Sequence, residues 1–303
     1  MGPVPLHRKA LLEALAEELP NEAIRFSSKL ISIEQQDSSD ILIQLGDGTL
    51  IKTKLLVGCD GVHSVVAKWL GLSQPVHSGR SAVRGLAVFP EGHGLGQDQV
   101  HQFIDAGKRA GYAPLNDTDM SSDPNHIQKT VMENCKDFPA KYLEIVRQSD
   151  LATLSWAPLV FRYPWNVMLG NLCKGGVTVA GDAMHPMTPD LAHGGASALE
   201  DSVVLGRHIG ESFLKNKGIV PQEVGVALKG YVKERRWRAA VLITGSYISG
   251  WAQLAHEHSW WKKFLMNIIY VSVFPKIYGS IHYDCGKLPC ASPGNMHDPN
   301  KLD

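Results

Sequence analysis

An α/β fold is predicted by three features of the sequence. Val177-Thr178-Val179-Ala180 is a short apolar run that reads as a buried parallel strand, and Gly181-Asp182 follows it. Leu55-Leu56-Val57-Gly58-Cys59 is a second such run, closed by Asp60-Gly61. Each is followed by a stretch with helix-forming composition and apolar spacing, so each joint sets an acid at the carboxyl end of a strand with a helix beyond it. Ligands of open α/β sheets bind at that end, and two such joints are far more specific than one.

The elements follow in order. Arg8 to Leu15 reads as a helix. Ile41–Leu45, the turn Gly46-Asp47-Gly48-Thr49 and Leu50-Ile51-Lys52 read as strand, turn, strand. His63 to Leu70 reads as a helix with Ser64 near its start. Asp117 to Lys136, with Ser121-Ser122-Asp123-Pro124-Asn125, is polar and reads as irregular. After the Val177–Ala180 strand comes a loop through Met184-His185-Pro186-Met187-Thr188-Pro189 and His193-Gly194-Gly195, then a helix over Ala196 to Ile209 that contains Glu200-Asp201. Glycines at a helix mouth let a ligand approach the backbone, and the helix amino end favours negative or electron-rich groups.

A length of 303 residues suits one large domain or two. Hydrophobic residues at 44% and charged residues at 20% are globular values. Lys+Arg and Asp+Glu balance at 30 each, and without a basic stripe no nucleic-acid partner is expected. The cysteines (Cys59, Cys135, Cys173, Cys285, Cys290) are scattered and no secretory signal opens the sequence, which predicts reduced thiols in an intracellular, cytoplasmic setting. Cys285 and Cys290 are near enough in sequence for a local pair. Phe264 to Phe274 is the longest apolar run, short of the ~18–20 residues of a spanning helix. Flanked by Lys262, Lys263 and Lys276, it reads first as a helix packed on the body and second as a weak membrane-surface contact by Trp260 to Phe274. The His256-Glu257-His258 spacing turns its histidines to different helix faces, so no metal is expected. No G-x-S-x-G or Walker A sequence occurs, which argues against a hydrolase or P-loop enzyme.

Six segments then stand in one order along nearly the whole chain: Arg8-Lys9-Ala10-Leu11-Leu12-Glu13-Ala14-Leu15, Ile24-Arg25-Phe26-Ser27-Ser28-Lys29, Gly58 to Leu70, Gly181 to Asp201, Lys233-Glu234-Arg235-Arg236-Trp237-Arg238 and Asp284-Cys285-Gly286-Lys287-Leu288. On these segments the chain resembles the class A FAD-dependent monooxygenases, the aromatic hydroxylases that include salicylate hydroxylase-like enzymes, and within them the plant branch. The resemblance implies an incomplete FAD/NAD(P)-binding Rossmann-like domain from residues 1–84 and 165–210. It also implies a reduced substrate-side β-sheet at 85–164, C-terminal helices within 211–288 and a loose tail at 289–303. It implies NAD(P)H reducing FAD, then oxygen insertion into a small aromatic or apolar substrate through a flavin hydroperoxide. The cofactor carries such chemistry, so no protein nucleophile is needed and no catalytic residue is assigned.

Cofactor contacts carry over to Arg8, Asp60, Gly61, Asp182, Pro189, Gly194, Gly195 and Ala196. Asp182 matches the acid that binds the ribityl chain of FAD; the plainer reading of such an acid is a helix N-cap. Pro189, Gly194, Gly195 and Ala196 match positions beside the isoalloxazine ring. Asp60 and Gly61 match a motif serving FAD and NAD(P)H, and also read simply as a strand-to-helix turn. Arg8 matches a flavin-contacting arginine; an isolated arginine is ordinarily solvated. His185 reads as structural, and Arg235, Arg236 and Arg238 as a solvated or salt-bridged face.

Two departures stand out. The family opens with a strand, a G-x-G-x-x-G turn and a helix that hold the FAD pyrophosphate. Here Gly46-Asp47-Gly48 and Gly92-His93-Gly94 fail at Ile51 and Gln97, and Gly94-Leu95-Gly96 fails at Gln99. The first βαβ unit is therefore expected to be absent, which favours a competing class: a truncated, non-catalytic relative that binds a small ligand or pairs with a full-length homologue. Where the family has G-Q-G, this chain has Ala192-His193-Gly194, so Ala192 is strained if its φ is positive.

Overall fold

The structure, a computed structural model, describes residues 8–20, 22–35, 40–89, 92, 101–105, 108–112, 119–120, 125–254 and 283–290. The elements in the first half are α1 (Arg8–Glu17), β1 (Leu30–Gln35), β2 (Ile41–Leu45), β3 (Leu50–Thr53), β4 (Leu56–Gly58), α2 (Val65–Trp69), β5 (Val76–Arg84), β6 (Ala87–Val88), β7 (His101–Asp105), β8 (Lys108–Tyr112), β9 (Asp119–Met120), α3 (Asn125–Asn134) and α4 (Ala140–Arg147). Then come β10 (Ser155–Phe161), α5 (Pro164–Leu169), β11 (Cys173–Lys174), β12 (Val177–Val179), α6 (Gly194–Asn216) and α7 (Pro221–Leu254). The architecture is α/β, as the sequence predicts. Phe264 to Phe274, His256-Glu257-His258 and residues 291–303 of the tail lie outside the described residues. Among the described residues no helix is long and apolar enough to cross a membrane.

The chain forms two compact units. One comprises Met1–Ser27, His77–Leu159 and Trp251–Ser259; the other comprises Ser28–Val76, Val160–Gly250 and Trp260–Asp303. In the first, β5 pairs with β10, β6 with β9 and β7 with β8. A small core of Ala87, Phe138, Tyr142, Ile145 and Val146 lies there, with Phe103 edge-on to Tyr142 at 5.8 Å. The stretch Asp117 to Lys136 is not irregular throughout: Asn125–Asn134 is helical. Val131 and Met132 pack on this core, and the Gln128 side chain donates to the Val146 carbonyl at 2.7 Å. Tertiary packing thus overrides a polar composition.

The second unit holds the joints. β4 and β12 pair in parallel, Val179 opposite Gly58, with β11 antiparallel on the other side of β12. All three β12 residues are buried, as a parallel strand covered on both faces must be. α2 crosses the sheet closely because Gly58 has no side chain: a Cβ there would lie 2.5 Å from Val66 Cβ. β1, β2 and β3 form an antiparallel sheet, matching the predicted strand–turn–strand. α6 buries Ser197, Asp201, Val204 and Leu205 at helical spacing. α7 starts on Pro221, whose missing N–H costs nothing at a helix start. It buries Leu228, Tyr231, Arg235, Ala239, Leu242 and Ser246, every third or fourth residue.

Candidate functional site

Both strand-end acids lie at one edge of the sheet, because β4 and β12 are parallel neighbours and the Ala180 N–H donates to the Gly58 carbonyl at 3.0 Å. They are used differently. The Asp60 carboxylate accepts from the Ser64 hydroxyl at 2.5 Å and from the Val65 N–H at 2.7 Å. Ser64 in turn accepts from the Ala67 N–H at 2.8 Å, so the pair caps α2. Gly61 follows with φ of 76°. The plainer reading of this joint therefore describes the Asp60 side chain as it stands.

Asp182 is exposed, in a one-turn 3-10 helix over Gly181–Ala183, and its carboxylate has no hydrogen-bond partner among the described residues. That turn packs against the start of α6, where a Cβ on Gly181 would lie 3.3 Å from Ala198 Cβ. Gly181 also has φ of 57°, a conformation that favours glycine. Pro189 is exposed and opens a second 3-10 turn, which ends at Ala192 with φ of 51°. Ala192 thus takes the left-handed conformation in which a side chain is strained.

His193 then caps α6, and Gly194, Gly195 and Ala196 form its first turn. Their N–H groups have no carbonyl within the helix to reach. A Cβ on Gly195 would meet nothing within 4 Å, and one on Gly194 only Met187 Cγ at 3.8 Å. The amino end of a 23-residue helix is therefore open beside an unengaged carboxylate. Arg8 belongs to the other compact unit, exposed in the first turn of α1. The structure brings Asp60, Gly61, Asp182, Pro189, Gly194, Gly195 and Ala196 into one unit.

Beneath this surface lies a charged network whose burial and acid partners sequence reasoning did not assign. Asp201, fully buried, accepts from the Gly181 N–H at 2.8 Å, meets His185 Nε2 at 2.6 Å and accepts from Arg235 Nε at 2.6 Å. Burial alone would raise the Asp201 carboxyl, but His185 and Arg235 outweigh it and hold it below the usual range. Of its two readings Arg235 takes the salt-bridged one, fully buried rather than solvated, and it also donates to the Ser197 carbonyl and hydroxyl at 3.1 Å. Glu200 pairs with Arg235 at 2.8 Å and takes two bonds from Arg238 at 2.5 and 2.6 Å. Burial would raise its carboxyl too; the bonds from Arg238, the nearby His193 ring at 3.7 Å and the charge of Arg235 bring it down to about 2. Tyr283 stacks under Arg238 at 4.6 Å and donates to Glu234 at 2.6 Å, which Arg207 holds at 2.6 and 2.8 Å. His185 is fully buried, its ring held against Asp201. The missed signal was periodicity: Asp201 and Arg235 fall on the apolar stripes of their helices, and a buried charge needs a partner.

All five cysteines are free thiols. The local pair of Cys285 and Cys290 does not form, because Cys285 packs against the core while Cys290 is exposed.

The family model described as FAD binding domain matches residues 3–244. "Monooxygenase 2" of Arabidopsis thaliana is 40% identical to the chain, over 93% of this chain and 74% of that one. The chain belongs to the FAD-dependent monooxygenases. Among solved members of this fold, Klebsiella pneumoniae HpxO complexed with FAD and uric acid superposes with a TM-score of 0.72 at 21% identity, covering 90% of this chain and 71% of that one. A salicylate hydroxylase substrate complex superposes with a TM-score of 0.65 at 15% identity, covering 92% and 73%. Class A flavin monooxygenases are thus the family in which the open α6 end and Asp182 are to be understood.

Proposed function

We propose that this chain is an FAD- and NAD(P)H-dependent monooxygenase that inserts one oxygen atom into a small aromatic or apolar substrate. The observation that carries the reading is Asp182: an exposed carboxylate without a partner among the described residues, fixed beside the open amino end of α6. These residues fit the riboflavin half of FAD. Asp182 would accept from the ribityl hydroxyls, while the backbone at Pro189, Gly194, Gly195 and Ala196 would face the ring. Because α6 is long, its amino end would favour electron-rich ring atoms. With the Asp60 carboxylate engaged at α2, contacts at this joint would come from the backbone of Asp60 and Gly61. Arg8, which lies in the other unit, rests on the resemblance alone as a cofactor contact. When bound, the group supplies oxygen activation; the protein supplies placement and a pocket shielded from water.

A second reading is a non-catalytic relative that binds a small ligand or pairs with a full-length homologue. It is favoured by one observation: the Asp60 carboxylate is engaged by Ser64 and the Val65 N–H at the start of α2 rather than left open to a cofactor. Flavin content of the purified protein, FAD titration and NAD(P)H oxidation with aromatic compounds separate the two. Near-stoichiometric FAD and substrate-dependent NAD(P)H oxidation support the monooxygenase. A colourless protein that takes up no added FAD sinks it.

A further inference from the structure

The turn that carries Asp182 is gripped from both sides by buried side chains of opposite charge. On one side Asp201 accepts from the Gly181 N–H at 2.8 Å, and is itself anchored by His185 and Arg235. On the other side Arg162, 1% exposed, donates through Nε to the Met184 carbonyl at 3.1 Å and through one terminal nitrogen to the Ala183 carbonyl at 3.3 Å. Its second terminal nitrogen donates to the Ser73 carbonyl, in the loop after α2. The Arg162 backbone N–H adds a bond to the Pro186 carbonyl at 3.0 Å. Inside the turn, the Gly181 carbonyl accepts from the Met184 and His185 N–H groups at 2.9 and 2.8 Å.

Arg162 is unusual in that its side chain donates to main-chain carbonyls rather than to a carboxylate. Burial lowers its pKa, the expected response of a guanidinium withdrawn from water. A planar fork satisfies three carbonyls at fixed angles; the single ammonium of lysine cannot. A buried cation spent on backbone carbonyls fixes a backbone path. The path fixed here is Gly181 to Pro186, and the one exposed acid on it is Asp182.

We infer that Arg162 and Asp201 are positioning residues for Asp182: they clamp its turn so that the carboxylate is held in place for the ribityl chain of FAD, although neither touches the cofactor. The cofactor consequence rests on the function proposed above; the clamp itself does not. Placement of a binding group on a rigid support is what converts a carboxylate at a strand end into a site.

The test has two arms. In the first, amide hydrogen exchange is read by NMR at Gly181, Met184 and His185 in the FAD-free protein. The clamp predicts slow exchange in the wild type and a loss of protection of about tenfold or more in Arg162→Lys, with β4 and α7 unchanged, and in Asp201→Asn, with β1 to β3 unchanged. Wild-type amides as fast as those of an exposed loop overturn the inference without any variant. So does protection that the variants leave intact, or lose equally across the unit.

In the second arm, FAD is titrated into wild type, Asp182→Ala, Arg162→Lys and the double variant. Arg162→Lys should weaken FAD about tenfold or more, and adding it to Asp182→Ala should cost nothing further, since nothing remains to be positioned. Additive losses in the double variant, or an unchanged Kd in Arg162→Lys beside a weakened Asp182→Ala, overturn the positioning role and leave the proposed function standing. A wild type that takes up no FAD overturns the proposed function instead, and the exchange arm then decides the clamp.

Discussion

Replacing Arg235 by Met tests how the buried charge network is held. Arg235 and Asp201 side chains are both 0% exposed and meet at 2.6 Å, and Glu200 stands 2.8 Å from the same guanidinium. Methionine fills much of the volume but leaves Asp201 with only His185 and the Gly181 N–H. Removing one partner of a buried pair costs about 3–5 kcal/mol. The remaining contacts of Asp201 with His185 and the Gly181 N–H offset part of this, so the lower end, about 3 kcal/mol, is expected. At ~2–4 °C per kcal/mol for a unit of this size, the melting midpoint should fall by roughly 6–12 °C. Urea unfolding followed by circular dichroism near pH 7.5 gives the free energy directly. The double variant Arg235→Met/Asp201→Leu removes both charges and should recover half or more of the loss. A single-variant loss below about 1 kcal/mol refutes the reasoning, because a truly buried, uncompensated carboxylate cannot be that cheap. A double variant as unstable as the summed singles refutes it equally.

Three further outcomes follow from the same geometry. Ala192→Gly should raise stability by about 0.5–1 kcal/mol, since relief of a strained left-handed residue exceeds glycine's added chain entropy; a lower thermal midpoint would count against the strain. Gly58→Ala should lower stability by about 1–3 kcal/mol, because its Cβ would lie 2.5 Å from a Cβ fixed in the helix rather than from a flexible side-chain end; an unchanged urea midpoint would contradict the close packing of α2. Glu200 has its carboxyl depressed from 4.5 to about 2, so its ionised form contributes stability above pH 4.5 and loses it as the pH falls towards 2. Glu200→Gln should therefore be less stable at neutral pH and show a flatter profile between pH 4.5 and 2; parallel profiles would remove Glu200 from acid unfolding.

The elements that the sequence revealed are those whose signal is local. Val177–Val179 reads as a buried strand from its apolar run alone, and Ser64 reads as a helix start from its place before Val65. Asp182 and the glycines of the α6 entry were legible because a strand-end acid and a glycine pair need only neighbouring residues to identify them. Even the left-handed Ala192 could be foreseen as a point of strain. α3 was missed because its polar composition gave no clean period; Val131 and Met132 acquire meaning only against Phe138 and Tyr142 in the folded unit.

The charged clamp lies at the opposite extreme. Arg162 bonds residues 21 and 22 positions away on one side and 89 on the other, and Asp201 reaches Gly181 across 20 positions and Arg235 across 34. None of these bonds lies within one turn of helix or one strand, so no local pattern reveals them. What a single sequence does carry is the anomaly itself: a charge on a helix stripe otherwise buried and apolar. Asp201 stands with Val204 and Leu205, and Arg235 with Tyr231 and Ala239. Such a residue must have a counter-charge or a set of backbone groups waiting for it, because the interior penalises an isolated ion by far more than one side chain contributes to stability. In this fold the groups that satisfy those charges include the backbone on either side of Asp182, so the demand that made the core charges affordable is the same demand that fixes the exposed acid in place.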